Sequence, residues 1–343
     1  MGTIVSEPAP ELQALWPIGA ICGPDDLCSP ADGTTTIRYP GQGRVQNVKV
    51  PKGMHLTPRE FSDWEHKAIT LLGMSGIGKT TLANKLPKTE WFHYSADYRI
   101  GTKYLEEHIL DNIKKQAMKV DFLRDLLLGD SIYICSNITV HNLAPVSTFL
   151  GKIGSHAKGG LSLEEFKERQ RLHHEAEIAA MKDVAPFIAK AREIYGYNHF
   201  LNDAGGSVCE LNDAGAIQCL ADNTIIVYIR ADEEMENTLI QRAIDSPKPL
   251  YYQERFLDEK LAEFMADEGV AEIDDIDPDR FVRWMFPKLV EHRRPLYQAL
   301  ADEHGYTVES RDVEQVRDEA DILEMIAGAL ASPPAGDVAA KRA

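Results

Sequence analysis

From position 66 onward, short apolar runs that end in turn residues alternate with longer amphipathic stretches. KAITLLG is an apolar run closed by glycine, the texture of a strand buried on both faces of a parallel sheet. WFHYSAD, NHFLNDAGG, NTIIVYIRA and GYTVESRD share that texture, and SIYICSN is strand-like but ambiguous. Helical spacing marks TTLANKL, residues 101–128, a long stretch opening at Ser162, and residues 232–244, 254–268 and 279–302. Leu105, Ile109, Ile113 and then Phe122 and Leu126 fall near helical spacing in the 101–128 stretch, and Phe166, Ile178, Met181, Val184, Ile188 and Ala191 are candidates for the buried side of the long one. Thr57 with Pro58 and Glu60, and Ser162 with Glu165, read as helix starts, where a hydroxyl and a carboxylate satisfy first-turn N–H groups. Strands alternating with helices predict an α/β fold of three layers, a parallel sheet of five core strands flanked by helices, with a helical insertion.

The domain plan follows from shifts in this pattern. Residues 1–56 are rich in Pro, Gly, Thr and Asp and read as an accessory, partly irregular segment, with TTTIRYP and RVQNVKV as a candidate hairpin. Residues 57–331 read as one α/β domain, with an insertion over about 101–196 and a lid over about 242–255. Residues 332–343 read as a flexible tail.

Composition narrows the partners. The 343 residues hold 37 Lys+Arg against 54 Asp+Glu, a net charge of −17, which disfavours a dedicated nucleic-acid surface. No run approaches the 18 or so apolar residues of a membrane helix, and the first residues lack the basic start and apolar stretch of a secretory signal. Gly2 with Ser6 matches the short myristoylation pattern, which chance produces often. Cys22, Cys28, Cys135, Cys209 and Cys219 are scattered and odd in number, as expected of reduced thiols in a cytoplasmic protein.

The sharpest chemical signal is Gly73-Met74-Ser75-Gly76-Ile77-Gly78-Lys79-Thr80, followed by Thr81. It fits G-x-x-x-x-G-K-[ST] between an apolar strand and a helix. The glycines let Ser75, Gly76, Ile77 and Gly78 turn tightly and aim N–H groups at phosphate oxygens. Lys79 reaches the outer phosphates and the Thr80 hydroxyl ligates Mg²⁺. A chance match is expected in about one chain in a hundred of this length, so ATP with Mg²⁺ is the cofactor expectation.

Such a loop needs a carboxylate for the metal or the acceptor. Asp97 closes WFHYSAD and Asp203 closes HFLND, at strand ends where open α/β sheets bind ligands. Asp203 is the candidate metal ligand with Thr80, and Asp97 the candidate base. Gly205 and Gly206 allow close backbone approach to a substrate. Among the cations, Arg99, Arg242, Lys248, Arg293 and Arg294 are placed to neutralise a transferring phosphoryl group or to grip an acceptor anion. His173 and His174, in the insertion, read first as a solvated helix face.

The order of these pieces resembles shikimate kinase and related small-molecule P-loop kinases: GMSGIGKTTLANKL, SADYRIG, NDAGGSV, TIIVYIRADEE with SPKPLYY, and EHRRPLYQAL. The resemblance implies Asp97 at the acceptor hydroxyl, Gly205 and Gly206 at the acceptor wall, Lys248 on the lid, and Arg293 on the acceptor's anion; Arg99, which follows Asp97 into the insertion, is a further candidate for that wall. The sequence departs from that family at Ser95, where the family has a first aspartate, and at Lys248, where it has arginine. The segment from Asp97 to Gly205 is also far longer.

Taken together, these features predict an ATP-dependent phosphotransferase that moves the γ-phosphoryl group to a hydroxyl of a small, anionic metabolite. Lys79, Asp97, Lys248 and Arg242 would be its catalytic groups. A nucleotide or nucleotide-sugar acceptor shares the same fold. The alternative is a regulatory P-loop ATPase acting through a protein partner, or a homo-oligomer, at the insertion.

Overall fold

The computed structural model describes residues 56–331. Residues 1–55, with the candidate hairpin, and the tail 332–343 lie outside the described residues. Five parallel strands form one sheet: β1 (Ala68–Leu72), β2 (Trp91–Ser95), β3 (His199–Asp203), β4 (Ile225–Arg230) and β5 (Gly305–Glu309). Their order is β2-β3-β1-β4-β5. All five residues of β1 are buried, as the unbroken apolar run AITLL requires of a central strand.

The strand period of two divides the side chains between two helical layers. Tyr94, Asn202 and Thr70 share one face through their register, as do Leu72 and Tyr228. On that face the Tyr94 hydroxyl donates to Ala180 O at 2.7 Å, and Tyr228 stacks on Tyr297 with ring centroids 5.2 Å apart. Those contacts bring in the long helix Leu163–Lys182 and the helix Pro278–His304. On the other face Trp91 Nε1 donates to Glu319 of the helix Glu319–Leu330 at 2.6 Å. The result is an α/β sheet covered on both sides by helices.

The capping box at Thr57 forms as the sequence predicts, with Glu60 reaching back to the Thr57 amide at 2.8 Å. The insertion keeps its helical character with three changes. The 101–128 stretch opens as a π-helical turn, Ile100–Tyr104, and then breaks at Met118 between the helices Glu106–Ala117 and Asp121–Leu128. Ile113 and Phe122 are exposed, Phe122 at 72%. SIYICSN forms no strand, and the Ile138 that follows it packs against Gly101. The long helix also stops at Lys182, and Val184–Glu193 continues as a separate helix.

A second apolar cluster ties the insertion to the C-terminal helices. Phe166, Tyr252, Phe256, Phe264 and Phe281 meet there, away from the sheet. Among the described residues no helix is long and apolar enough to cross a membrane.

Candidate nucleotide and acceptor site

The connection after β1 is set by three glycines with left-handed backbone, Gly73 at φ 143°, Gly76 at 86° and Gly78 at 108°, angles that side chains disfavour. A Cβ on Gly73 would also sit 3.0 Å from Ile229 O of β4. The Ile77 amide donates to Met74 O at 3.2 Å, whereas the amides of Ser75, Gly76 and Gly78 find no backbone carbonyl among the described residues. Ser75 and Gly76 are exposed, and Ile77 anchors the loop in the core. The helix that follows is short, Lys79–Ala83, instead of running through TTLANKL. Thr81 lies exposed on it.

Lys79 is the charged centre of the loop. Its Nζ donates to Gly73 O at 2.7 Å and Met74 O at 3.2 Å, and only 7% of the residue is exposed. Burial pushes its pKa down against the opposing charges of Asp203, Asp97 and Glu177. Thr80, the next residue, donates to Asp203 Oδ2 at 2.5 Å. The register explains the meeting: Asp203 closes β3 opposite Leu71 of β1 and Ser95 of β2, directly beside the loop. His93, on the same face of β2, places Nε2 3.5 Å from Asp203 Oδ2. Burial acts to raise the Asp203 pKa, but the neighbouring His93 imidazole, the Lys79 charge and the Thr80 hydroxyl outweigh it and hold the carboxylate low.

Asp97 lies in the short helix Ala96–Arg99, whose cap is the Ser95 hydroxyl, accepting from Tyr98 N at 3.4 Å. Ser95, at the position of that first aspartate, therefore serves as a helix cap. The Asp97 carboxylate makes no hydrogen bond or ion pair among the described residues. Burial, then the charges of Glu177 and Asp203, push its pKa up to about 6, with His173 and Lys79 opposing.

Gly205 and Gly206 fill the space between this aspartate and the phosphate loop. A Cβ on Gly206 would lie 3.0 Å from Ser75 N, so this glycine lets β3's connection rest on the loop. A Cβ on Gly205 would collide with Glu177 Oε1 and lie 3.5 Å from Asp97 Oδ1.

The arginines are committed elsewhere. Arg293 is buried, and its Nε and Nη2 donate to Glu210 Oε2 at 2.8 and 2.5 Å. Its Nη1 donates to Gly206 O and its Nη2 also to Tyr251 O, both at 2.8 Å. The guanidinium thus knits the glycine pair to the strap over 246–253, and those donors are spent within the protein. Arg99 donates to Asp183 Oδ2 at 2.7 Å and lies over the Phe187 ring, so the structure does not bring it to Asp97.

The lid expected over 242–255 divides in two. Arg242, near the end of the helix Glu233–Asp245, and Lys248 are exposed and hold no ion pair among the described residues. Leu239 of that helix sits against Gly76 of the phosphate loop. The second half is fastened: Gln170 holds Leu250 O at 3.3 Å and Tyr252 N at 2.8 Å, and the Tyr251 hydroxyl meets His174 Nδ1 at 2.9 Å.

Four functional candidates escaped the sequence reading. Glu177 is fully buried; its Oε2 accepts from Ser207 Oγ at 2.6 Å and its Oε1 has no partner. His173 is 8% exposed with Nδ1 unpartnered, and burial holds its pKa down at about 4, so the solvated-face reading fails for it. His93 and Glu210 complete the set. A signal existed for two of them: Phe166, Gln170, His173, Glu177 and Met181 recur at helical spacing, which places the polar members on the apolar side.

No family model and no curated protein matches the chain. Among solved structures, a shikimate kinase from Bacteroides thetaiotaomicron is similar over 76% of this chain and 94% of that chain, at 14% identity and a TM-score of 0.34. At that identity and score, the likeness leaves the chemistry to the residues themselves.

Proposed function

We propose that the protein transfers the γ-phosphoryl group of ATP to a hydroxyl of a small metabolite. One observation carries this reading: the phosphate loop, the Thr80–Asp203 pair and an unpaired Asp97 converge at adjacent strand ends. A phosphate loop alone serves many NTPases. An uncommitted carboxylate with a pKa near neutrality, across from the loop, is what an acceptor hydroxyl needs.

The donor set fits Mg²⁺. Thr80 and Asp203 offer hard oxygens already in contact, and no cluster of three or more His, Cys, Asp or Glu converges among the described residues. A site of few protein oxygens completed by phosphate and water is the usual Mg²⁺ arrangement. When bound, the ion would neutralise charge on the phosphates.

The chain's residues then divide the work. Loop amides and Lys79 hold the polyphosphate. Asp97 accepts the acceptor's hydroxyl proton as that oxygen bonds to the γ-phosphorus. The bridging P–O bond breaks, and ADP leaves with the electron pair. Arg242 and Lys248, uncommitted on the lid, are the cations available to meet the transferring group. Because Arg293 is engaged with Glu210, the acceptor's charge is not assigned.

ADP release by the purified full chain, with Mg²⁺ and ATP and with or without pooled metabolite fractions, tests the proposal. Stimulation by one fraction, with label from γ-³²P-ATP appearing on a component of it, is the expected result. A slow rate indifferent to every fraction but altered by a protein partner would favour the regulatory ATPase.

A further inference from the structure

Glu177 is a fully buried carboxyl group with one oxygen fastened and the other bare. Ser207 Oγ donates to Oε2 at 2.6 Å, and Oε1 has no partner. An unpartnered buried carboxylate oxygen is costly and calls for an explanation. Its position supplies one. Oε1 presses on Gly205 where a side chain would start, and Asp97 Oδ1 lies 3.5 Å from the same point. The two carboxyl groups therefore face each other across a bare glycine, within the ~6 Å over which like charges resist joint ionisation.

We propose that Glu177, steered by Ser207 and admitted by Gly205, is the positioning carboxylate that tunes Asp97 as the proton acceptor of the transfer. This rests on the phosphotransfer reading above. Glu177 acts through Asp97 and touches no substrate. The groups facing Asp97 are Glu177 and His173 from the helix Leu163–Lys182, Asp203 from β3 and Lys79 from the phosphate loop. Glu177 in turn faces Arg293, Glu210 and His174. Burial raises both carboxyl groups, and their mutual repulsion falls on Asp97, the more accessible of the two. An isolated aspartate near the loop would stay ionised and bind a hydroxyl proton weakly. A second carboxylate at fixed distance moves the group toward the pH at which it both accepts and releases a proton.

The test is direct titration of the full chain by carbon NMR with ¹³C-carboxyl aspartate and glutamate, Asp97→Asn and Glu177→Gln identifying the two resonances. In the wild-type chain, each of the two resonances should show a second inflection from the other's ionisation. In Glu177→Gln the Asp97 midpoint should fall by about one pH unit. Glu177→Asp should restore part of the shift. An unmoved Asp97 midpoint, or single-step curves in the wild-type chain, overturns the proposal; with the two carboxyl resonances also assigned through backbone correlations in the wild-type chain, the second criterion holds even if the variants do not fold. Binding of Mg²⁺ with a non-hydrolysable ATP analogue, measured on the same sample, separates the two claims. Coupled titration without nucleotide binding would sink the phosphotransfer reading and leave the carboxyl pair standing.

Discussion

The Thr80 hydroxyl donates to Asp203 Oδ2 over 2.5 Å, joining residues 123 positions apart in the chain. The contact is a consequence of sheet order: β3 lies beside β1, so the end of one strand meets the loop of the other. Thr80→Val keeps the shape and removes the hydroxyl. It should raise the Mg²⁺ concentration needed for half-maximal ATP turnover by about tenfold, with ATP binding in the absence of metal little changed. A magnesium titration of ADP release checks this, and an unchanged requirement would remove Thr80 from the metal site.

Arg293 and Glu210 form a buried ion pair with extra hydrogen bonds to Gly206 O and Tyr251 O. The Arg293 charge, the neighbouring His292 imidazole and the Arg293 hydrogen bonds hold the Glu210 carboxylate low, against a burial effect that would raise it. Arg293→Met should destabilise the protein by about 3–5 kcal/mol, because it strands a buried carboxylate. Adding Glu210→Leu should recover part of that loss. Urea unfolding of the single and double variants measures both. A single variant as stable as wild type would return Arg293 to the acceptor side.

Gly205 leaves no room for a methyl group, since Glu177 Oε1 occupies the place. Gly205→Ala should cost about 1–3 kcal/mol and displace the acceptor wall, whereas Gly269→Ala, where a Cβ meets open space but φ is +65°, would be strained by backbone alone. Thermal unfolding compares them; the prediction is that only Gly205→Ala also lowers ADP release.

The raised Asp97 pKa gives a pH signature. The group is ionised above about 6 in the folded protein and above about 3.9 when unfolded, so its ionisation opposes folding between those values and beyond. The stability it contributes in its protonated form is complete below the unfolded pKa and is lost as pH rises through about 6. Asp97→Asn should therefore stabilise the chain by on the order of 1 kcal/mol at pH 8 and by nothing at pH 3.5. Denaturant midpoints at the two values test this, and turnover by the wild-type chain should fall as pH drops through about 6.

The sheet was legible because its strands are apolar runs with turn residues behind them, and KAITLLG could pack only in the middle of a parallel sheet. The loop was legible because its chemistry is local: eight consecutive residues carry it. The acceptor half was not, because it is assembled from residues far apart. Glu177 meets Gly205 and Asp97 only once a helix of the insertion crosses the strand ends. Arg293 shows the same limit from the other side. Its neighbours in EHRRPLY describe a basic helix, and nothing local says that Glu210 will absorb its charge. SIYICSN failed for a related reason, since alternation alone does not make a strand unless the tertiary fold pairs the segment with the sheet.

Isothermal calorimetry of the full chain with a non-hydrolysable ATP analogue, with and without Mg²⁺, probes the phosphate loop most directly. Saturable binding at one site in the micromolar range, strengthened by Mg²⁺ and lost in Lys79→Ala while circular dichroism is unchanged, is the predicted result. No heat of binding with any magnesium nucleotide, from a chain that is folded by the same measure, would contradict it.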